Sequence, residues 1–374
     1  MKYLKKTKKI LLNSLFIFVT LLDKTSLYAV NEIKKTDVIH YYEQSGNYAH
    51  ALKAARTLYE QSLQMGLHQE TATLSETIAK LENSLLNLGS SMLLFDEYHQ
   101  PRVKLLQLLK LVGMETSCAS KYTLTQINDW AQKYLLRKGE RWEQQTTRFE
   151  GLKPQIMPLL KELGFVEPTN PHFNTYQGAV IHGALLPRVR LRIHYLIQQW
   201  NKGIRFTHLY FLSGARPLEP QYENKTTLMH DNGSLLTIRN EWQEPVELPK
   251  TECEMMQLVW EQSEVPEEMR SQLQVYFINA PMKKDLINKK LLRPNTDDTV
   301  EEWLKTSPPY GPYLAVTNAP YINRQDLVIR ILSPNEYTFD TVGPGAGEQE
   351  KMIIFLDELA RLIFQIKELS IKSL

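Results

Sequence analysis

Between residues 176 and 374 the sequence alternates short apolar runs with amphipathic stretches, and no other feature limits the fold so tightly. AVIHGA, THLYFL, VYFINAP, YLAV and EYTFDTV each have strand length and carry β-branched or aromatic residues. A stretch of helical period separates each from the next. Strands joined through helices pair in parallel and need cover on both faces. The expected fold class is therefore α/β, with a Rossmann-like, mainly parallel sheet in the C-terminal half. Open sheets of this kind bind ligands outside the carboxyl ends of their strands. The loops at those ends are where chemistry is expected.

An all-helical N-terminal domain is expected before the sheet. The chain opens with MKYLKKTKK, a basic segment, then ILLNSLFIFVTLL, an apolar run of 13 residues, then DKTSLYA. A spanning helix needs about 20 residues, so residues 1–29 read as a signal peptide cleaved after Ala29. The alternative is an uncleaved inner-membrane anchor. Both export the remainder, to a periplasm or another external face.

From Asp37 to about Phe149 the signal is helical. Tyr41, Tyr48, Ala51, Ala55 and Tyr59 have the texture of a tetratricopeptide hairpin, with Gly46 and Asn47 at its turn. An ordinary helical bundle fits the same pattern. Leu74, Ile78, Leu81, Leu85 and Leu88 form one buried stripe, and Thr125 is a candidate helix cap. This part carries no chemical constellation and reads as a packing or partner-docking surface. The expected division is a helical domain over 30–150, a linker over 151–175, and the α/β domain over 176–374 with an insertion at about 217–250.

Bulk properties exclude some classes. Net charge is +2, and no basic stripe with interleaved aromatics appears, so nucleic acid is not an expected partner. The two cysteines, Cys118 and Cys253, have no metal-type spacing and are either bridged or free. No metal or cofactor is implied.

The candidate site residues come from the strand-end loops. His182-Gly183-Ala184 leads into a helix whose N-terminus offers N–H groups to an anion. Arg188 and Arg192 share an arc of that helix with Tyr195 and Gln199, and could grip phosphate or carboxylate. That arc is otherwise an ordinary solvated face. Ser213-Gly214-Ala215-Arg216 places small residues at the second strand end, with Ser213 as a hydroxyl donor. Glu252 begins a helix, where a carboxylate suits the dipole; it also fits a general base or a partner for a ribose-like diol. Asn295, Thr296, Asp298 and Thr299 read as a helix cap and as polar groups on the same edge. Thr317 and Asn318 end the fourth strand, and Arg324 adds a third cation.

The collinear order of these pieces resembles the YdcF/SanA/ElyC-like family of bacterial α/β domains. His182-Gly183, Arg192, Ser213-Gly214, Glu252, Asn295-Thr296 with Asp298, and Thr317-Asn318 with Arg324 carry the resemblance over about 176–374. The chain departs from the family pattern in having one glycine in the first turn, Ala215 for the second loop glycine, and Asp298-Thr299 for a Glu-Asn pair. The resemblance implies a Rossmann-like fold and a role in the cell envelope. One branch of the family binds S-adenosylmethionine, which an exported protein would seldom meet.

The expected function is an exported envelope protein whose α/β domain binds an anionic, phosphorylated small molecule or lipid-linked precursor. Arg188, Arg192 and Arg324 would neutralise it, Gly183, Ser213, Gly214, Asn295, Thr296, Thr317 and Asn318 would line it, and Glu252 or His182 would move protons in hydrolase or transferase chemistry. The alternative is a non-catalytic scaffold with a degenerate α/β domain, docking a protein partner through its helical domain.

Overall fold

The computed structural model describes residues 48–88, 94–96, 100–115, 123–137, 139, 147–230, 235–285, 291–334 and 336–372. The signal segment, the Gly46-Asn47 turn, Cys118 and the Asp231-Asn232-Gly233 turn lie outside them. Packing divides the chain between Asn87 and Leu88. In the first unit, helices α1 (Tyr48–Gln64) and α2 (His68–Leu88) are joined at Gly66, whose φ of +71° suits glycine. Ala55, Leu58 and Leu74 are buried.

The second unit begins with helices α3 (Val103–Leu111), α4 (Leu124–Tyr134) and α5 (Lys153–Glu162). The cap of α4 is Thr123, not Thr125. Thr123 Oγ1 accepts from Gln126 N at 3.3 Å, and Gln126 Oε1 accepts from Thr123 N at 3.0 Å, a capping box that Thr125 lacks. Then come β1 (Gly178–His182), α6 (Leu186–Asn201), β2 (His208–Gly214), α7 (Lys225–Met229), α8 (Glu252–Gln262), α9 (Glu267–Gln272) and β3 (Gln274–Ala280). The chain closes with α10 (Thr296–Lys305), β4 (Gly311–Val316), α11 (Ile322–Leu332), β5 (Tyr337–Val342) and α12 (Met352–Lys372). A two-residue antiparallel ribbon, Lys283–Lys284 with Leu291–Leu292, stands apart from the sheet.

The five strands form one all-parallel sheet in the order β3-β2-β1-β4-β5. Side chains alternate across it with the strand period. Ala179, Ile181, Phe211 and Val316 face the layer holding Val189, Ile193, Met255 and Val259 of α6 and α8. Val180, Tyr210, Leu212 and Ala315 face the layer of Val300, Trp303 and Ile329 from α10 and α11. Strand order reverses between β1 and β4, the point where ligands bind in such sheets.

Two expectations change. Leu105, Leu108, Ile127, Ala131, Ile156 and Leu160 share a core with Phe355, Leu356, Leu359 and Ile363 of α12. The helices from 103 to 162 thus belong with the sheet, and packing puts the boundary at 87/88 rather than near 150. An amphipathic stripe specifies that a helix is covered, not what covers it. Second, the arginine-bearing arc of α6 is not solvated: Arg192, Tyr195 and Gln199 are buried. Tyr195 donates to Thr169 O at 2.6 Å, so the segment before β1 covers this arc. No described helix is long and apolar enough to cross a membrane.

Candidate functional site

The β1, β2 and β4 end loops lie on one rim because all three strands are parallel. A cavity of about 420 Å³ opens there. Its walls are the turn after β1, the start of α10 and Arg324 of α11, facing the end of α4 and residues of α12. Six arginines line it, at positions 137, 188, 216, 293, 324 and 361, against two acids, Glu252 and Asp297.

Carboxylates, three of them buried, brace five of these arginines. Arg137 Nε and Arg361 Nε donate to Asp357 Oδ2 at 2.8 and 2.9 Å. Arg324 Nε donates to Glu358 Oε2 at 2.5 Å. Asp357 and Glu358 are fully buried on α12. Burial alone would raise the Asp357 carboxyl, yet Arg361 and Arg137 hold it below the ordinary carboxylate range. Arg188 Nη2 donates to both oxygens of Glu350 at 3.0 Å, and its guanidinium lies over the Tyr321 ring. Arg216 forms a fork with Glu223, at 2.9 and 3.0 Å. Arginines fixed in this way meet an anion without first losing side-chain freedom.

Glu223 also accepts from Leu186 N at 3.1 Å, at the start of α6. A carboxylate of the protein itself therefore takes the helix terminus expected to hold the ligand.

His182 ends β1 and lines the cavity. It is 1% exposed, and neither ring nitrogen has a hydrogen-bond partner. Burial, then the charges of Arg192 and Arg324, lowers its pKa to about 3. The ring is therefore neutral and presents one donor and one acceptor.

Glu252 starts α8 after the Thr251 cap. A Cβ on Gly183 would meet Glu252 Oε1 at 2.8 Å and Leu212 O at 2.9 Å, so glycine makes room for the carboxyl group. Burial pushes the Glu252 carboxyl up, opposed by Arg216, Arg293 and Arg192 and reinforced by Glu223. Asp297, in the first turn of α10 and part of the same lining, is also raised by burial, with Arg324 opposing.

Of the expected site residues, His182, Gly183, Arg188, Glu252, Asn295, Thr296 and Arg324 line the cavity. Asn295 caps α10, accepting from Asp298 N at 3.0 Å, and Thr296 Oγ1 lies 3.4 Å from Arg324 Nη1. The others are engaged within the protein. Arg192 donates to His182 O at 2.6 Å, Gly183 O at 3.0 Å and Asn318 Oδ1 at 2.9 Å. Ser213 donates to Ile278 O at 2.6 Å, and Thr317 donates to Gln325. Gly214 leaves space for Pro294, whose Cγ would lie 2.1 Å from an added Cβ.

Sequence reasoning overlooked Asp297, Arg361, Glu223, Asp357 and Glu358. The Asp-Glu pair inside the apolar IIFLDELARLIF run was a usable signal, since acids at the centre of a buried helix face require partners. Glu223 sits in a polar segment and stood out in no way. Among the described residues no group of His, Cys, Asp and Glu could hold a metal ion. Comparison with family models, with curated proteins and with solved structures finds no match.

Proposed function

We propose that this chain binds an anionic, phosphorylated metabolite at the carboxyl edge of its sheet. The observation that carries the reading is the cavity at the strand-order reversal, lined by six arginines and by a buried histidine with unpartnered nitrogens. Arg361, whose side chain is 38% exposed, and Arg324 are the cations best placed to meet the ligand's charge. Glu252, with its carboxyl raised by burial, is the group for proton transfer in hydrolase or transferase chemistry. The N-terminal basic and apolar segments support export to the cell envelope, and the collinear motifs of the YdcF/SanA/ElyC-like resemblance agree with it.

The test is calorimetric titration of inorganic phosphate and pyrophosphate into the full chain and into Arg361→Gln. The reading expects binding by the wild type and a loss of about tenfold in the variant, the size of one charge-assisted contact of roughly 1.4 kcal/mol. Equal affinities, or no binding by either protein, reject it. The scaffold alternative draws on the internal engagement of Ser213, Thr317 and Glu223. It expects no binding of either anion.

A further inference from the structure

Accepting the anion-binding reading, we infer that the ligand is a phosphorylated sugar, its phosphate met by the arginines and its hydroxyl groups by His182, Glu252 and Asp297.

The arginines account for the charge of a ligand and for nothing else in the cavity. Glu252 and Asp297 share the lining with them, and a carboxylate beside a bare phosphate would repel it. Hydroxyl groups remove that conflict, because each can donate to a carboxylate.

His182 makes the same demand independently. Its neutral ring has a donor and an acceptor, both buried and both unpartnered. Phosphate oxygens that are fully ionised can satisfy only the donor. A hydroxyl group satisfies either nitrogen.

Size and shape agree. A volume of about 420 Å³ lies within the range of small-molecule sites and is far larger than one phosphate needs. On the rim, Phe364 of α12 is 40% exposed and lines the cavity. An exposed aromatic ring beside polar side chains suits the C–H face of a sugar ring. Gln365, next to it, adds an amide that donates and accepts.

The experiment is calorimetric titration of the full chain with inorganic phosphate, glucose, glucose 1-phosphate, N-acetylglucosamine 1-phosphate and ribose 5-phosphate. At least one sugar phosphate is expected to bind ten times more tightly than inorganic phosphate, with glucose alone weaker than both. Glu252→Gln and Asp297→Asn are each expected to narrow that ratio at least threefold. A further arm, a prenyl diphosphate carrying N-acetylglucosamine, separates the sources. Tighter binding than the soluble sugar phosphates assigns a lipid-linked sugar, and weaker binding a soluble one. If inorganic phosphate binds and no sugar phosphate or prenyl-linked sugar binds more tightly, the sugar inference falls and the anion reading stands. If nothing binds, both fall.

Discussion

Arg192 Nε donates to Asn318 Oδ1 at 2.9 Å, and this bond ties helix α6 to the loop that follows β4. The same guanidinium donates to His182 O and Gly183 O, so one planar group holds both sides of the strand-order reversal. A lysine has neither the fork nor the fixed plane to do so. Arg192→Lys is expected to lower unfolding free energy by about 2–4 kcal/mol. Urea denaturation measures it. A loss below 1 kcal/mol contradicts the clamp.

His182 gives stability a pH dependence. Its folded pKa, about 3, lies below the ordinary 6.5, so on acidification the unfolded chain takes up a proton that the folded chain refuses. Stability therefore falls as pH drops from about 6.5 toward 3, by about 1.4 kcal/mol per pH unit from this residue. In His182→Gln the slope between pH 6 and 4 is expected to be shallower by one proton. Denaturant unfolding at several pH values gives both slopes, and identical slopes refute the assignment.

Gly183 is fixed by its neighbours. Gly183→Ala drives a methyl group into Glu252 Oε1 and into Leu212 O, which cannot move without breaking the bond it accepts from Gly183 N at 2.7 Å. A cost of about 1–3 kcal/mol is expected. The double variant Gly183→Ala/Glu252→Ala should recover only part of it, because the carbonyl conflict persists. Thermal melting of the three proteins checks this, and full recovery would place the whole conflict on the carboxyl group.

Asp357 anchors Arg137 and Arg361 together. Asp357→Asn leaves two guanidinium groups without their counter-charge, one of them buried, and is expected to cost about 3–5 kcal/mol. The folded pKa of Asp357 is depressed. Its contribution is therefore complete above the unfolded carboxyl value near 3.8 and is lost as pH falls through the folded value. The variant should lack that acid limb. A phosphate titration of the same protein should be weakened as well, since Arg361 loses its brace.

The sheet was legible because apolar runs of strand length alternate with helical stretches, and each of the five runs became a strand. The rim was legible for the same reason, since parallel strands end on one side. The roles of single residues there were less so. Periodicity put Arg192 on the outer arc of α6, correctly, but the sequence does not state that residues near Thr169 cover that arc. Ser213 and Gly214 read as ligand contacts because small residues admit a ligand. Here they admit a carbonyl bond and a proline ring. The helices from 103 to 162 showed their stripes plainly, while their partner, α12, lies some two hundred residues further on.

The carboxylates that aim Arg137, Arg324 and Arg361 all sit on α12, the last helix of the described chain. A nascent polypeptide halted after β5 would possess every strand and still lack the means to orient those three side chains. During synthesis the sheet can be assembled first, but those three guanidinium groups gain their counter-charges only when the final helix emerges and docks. Loss of that helix would also uncover the apolar side of the helices from 103 to 162, so the aim of the arginines and the packing of that layer depend on the same segment.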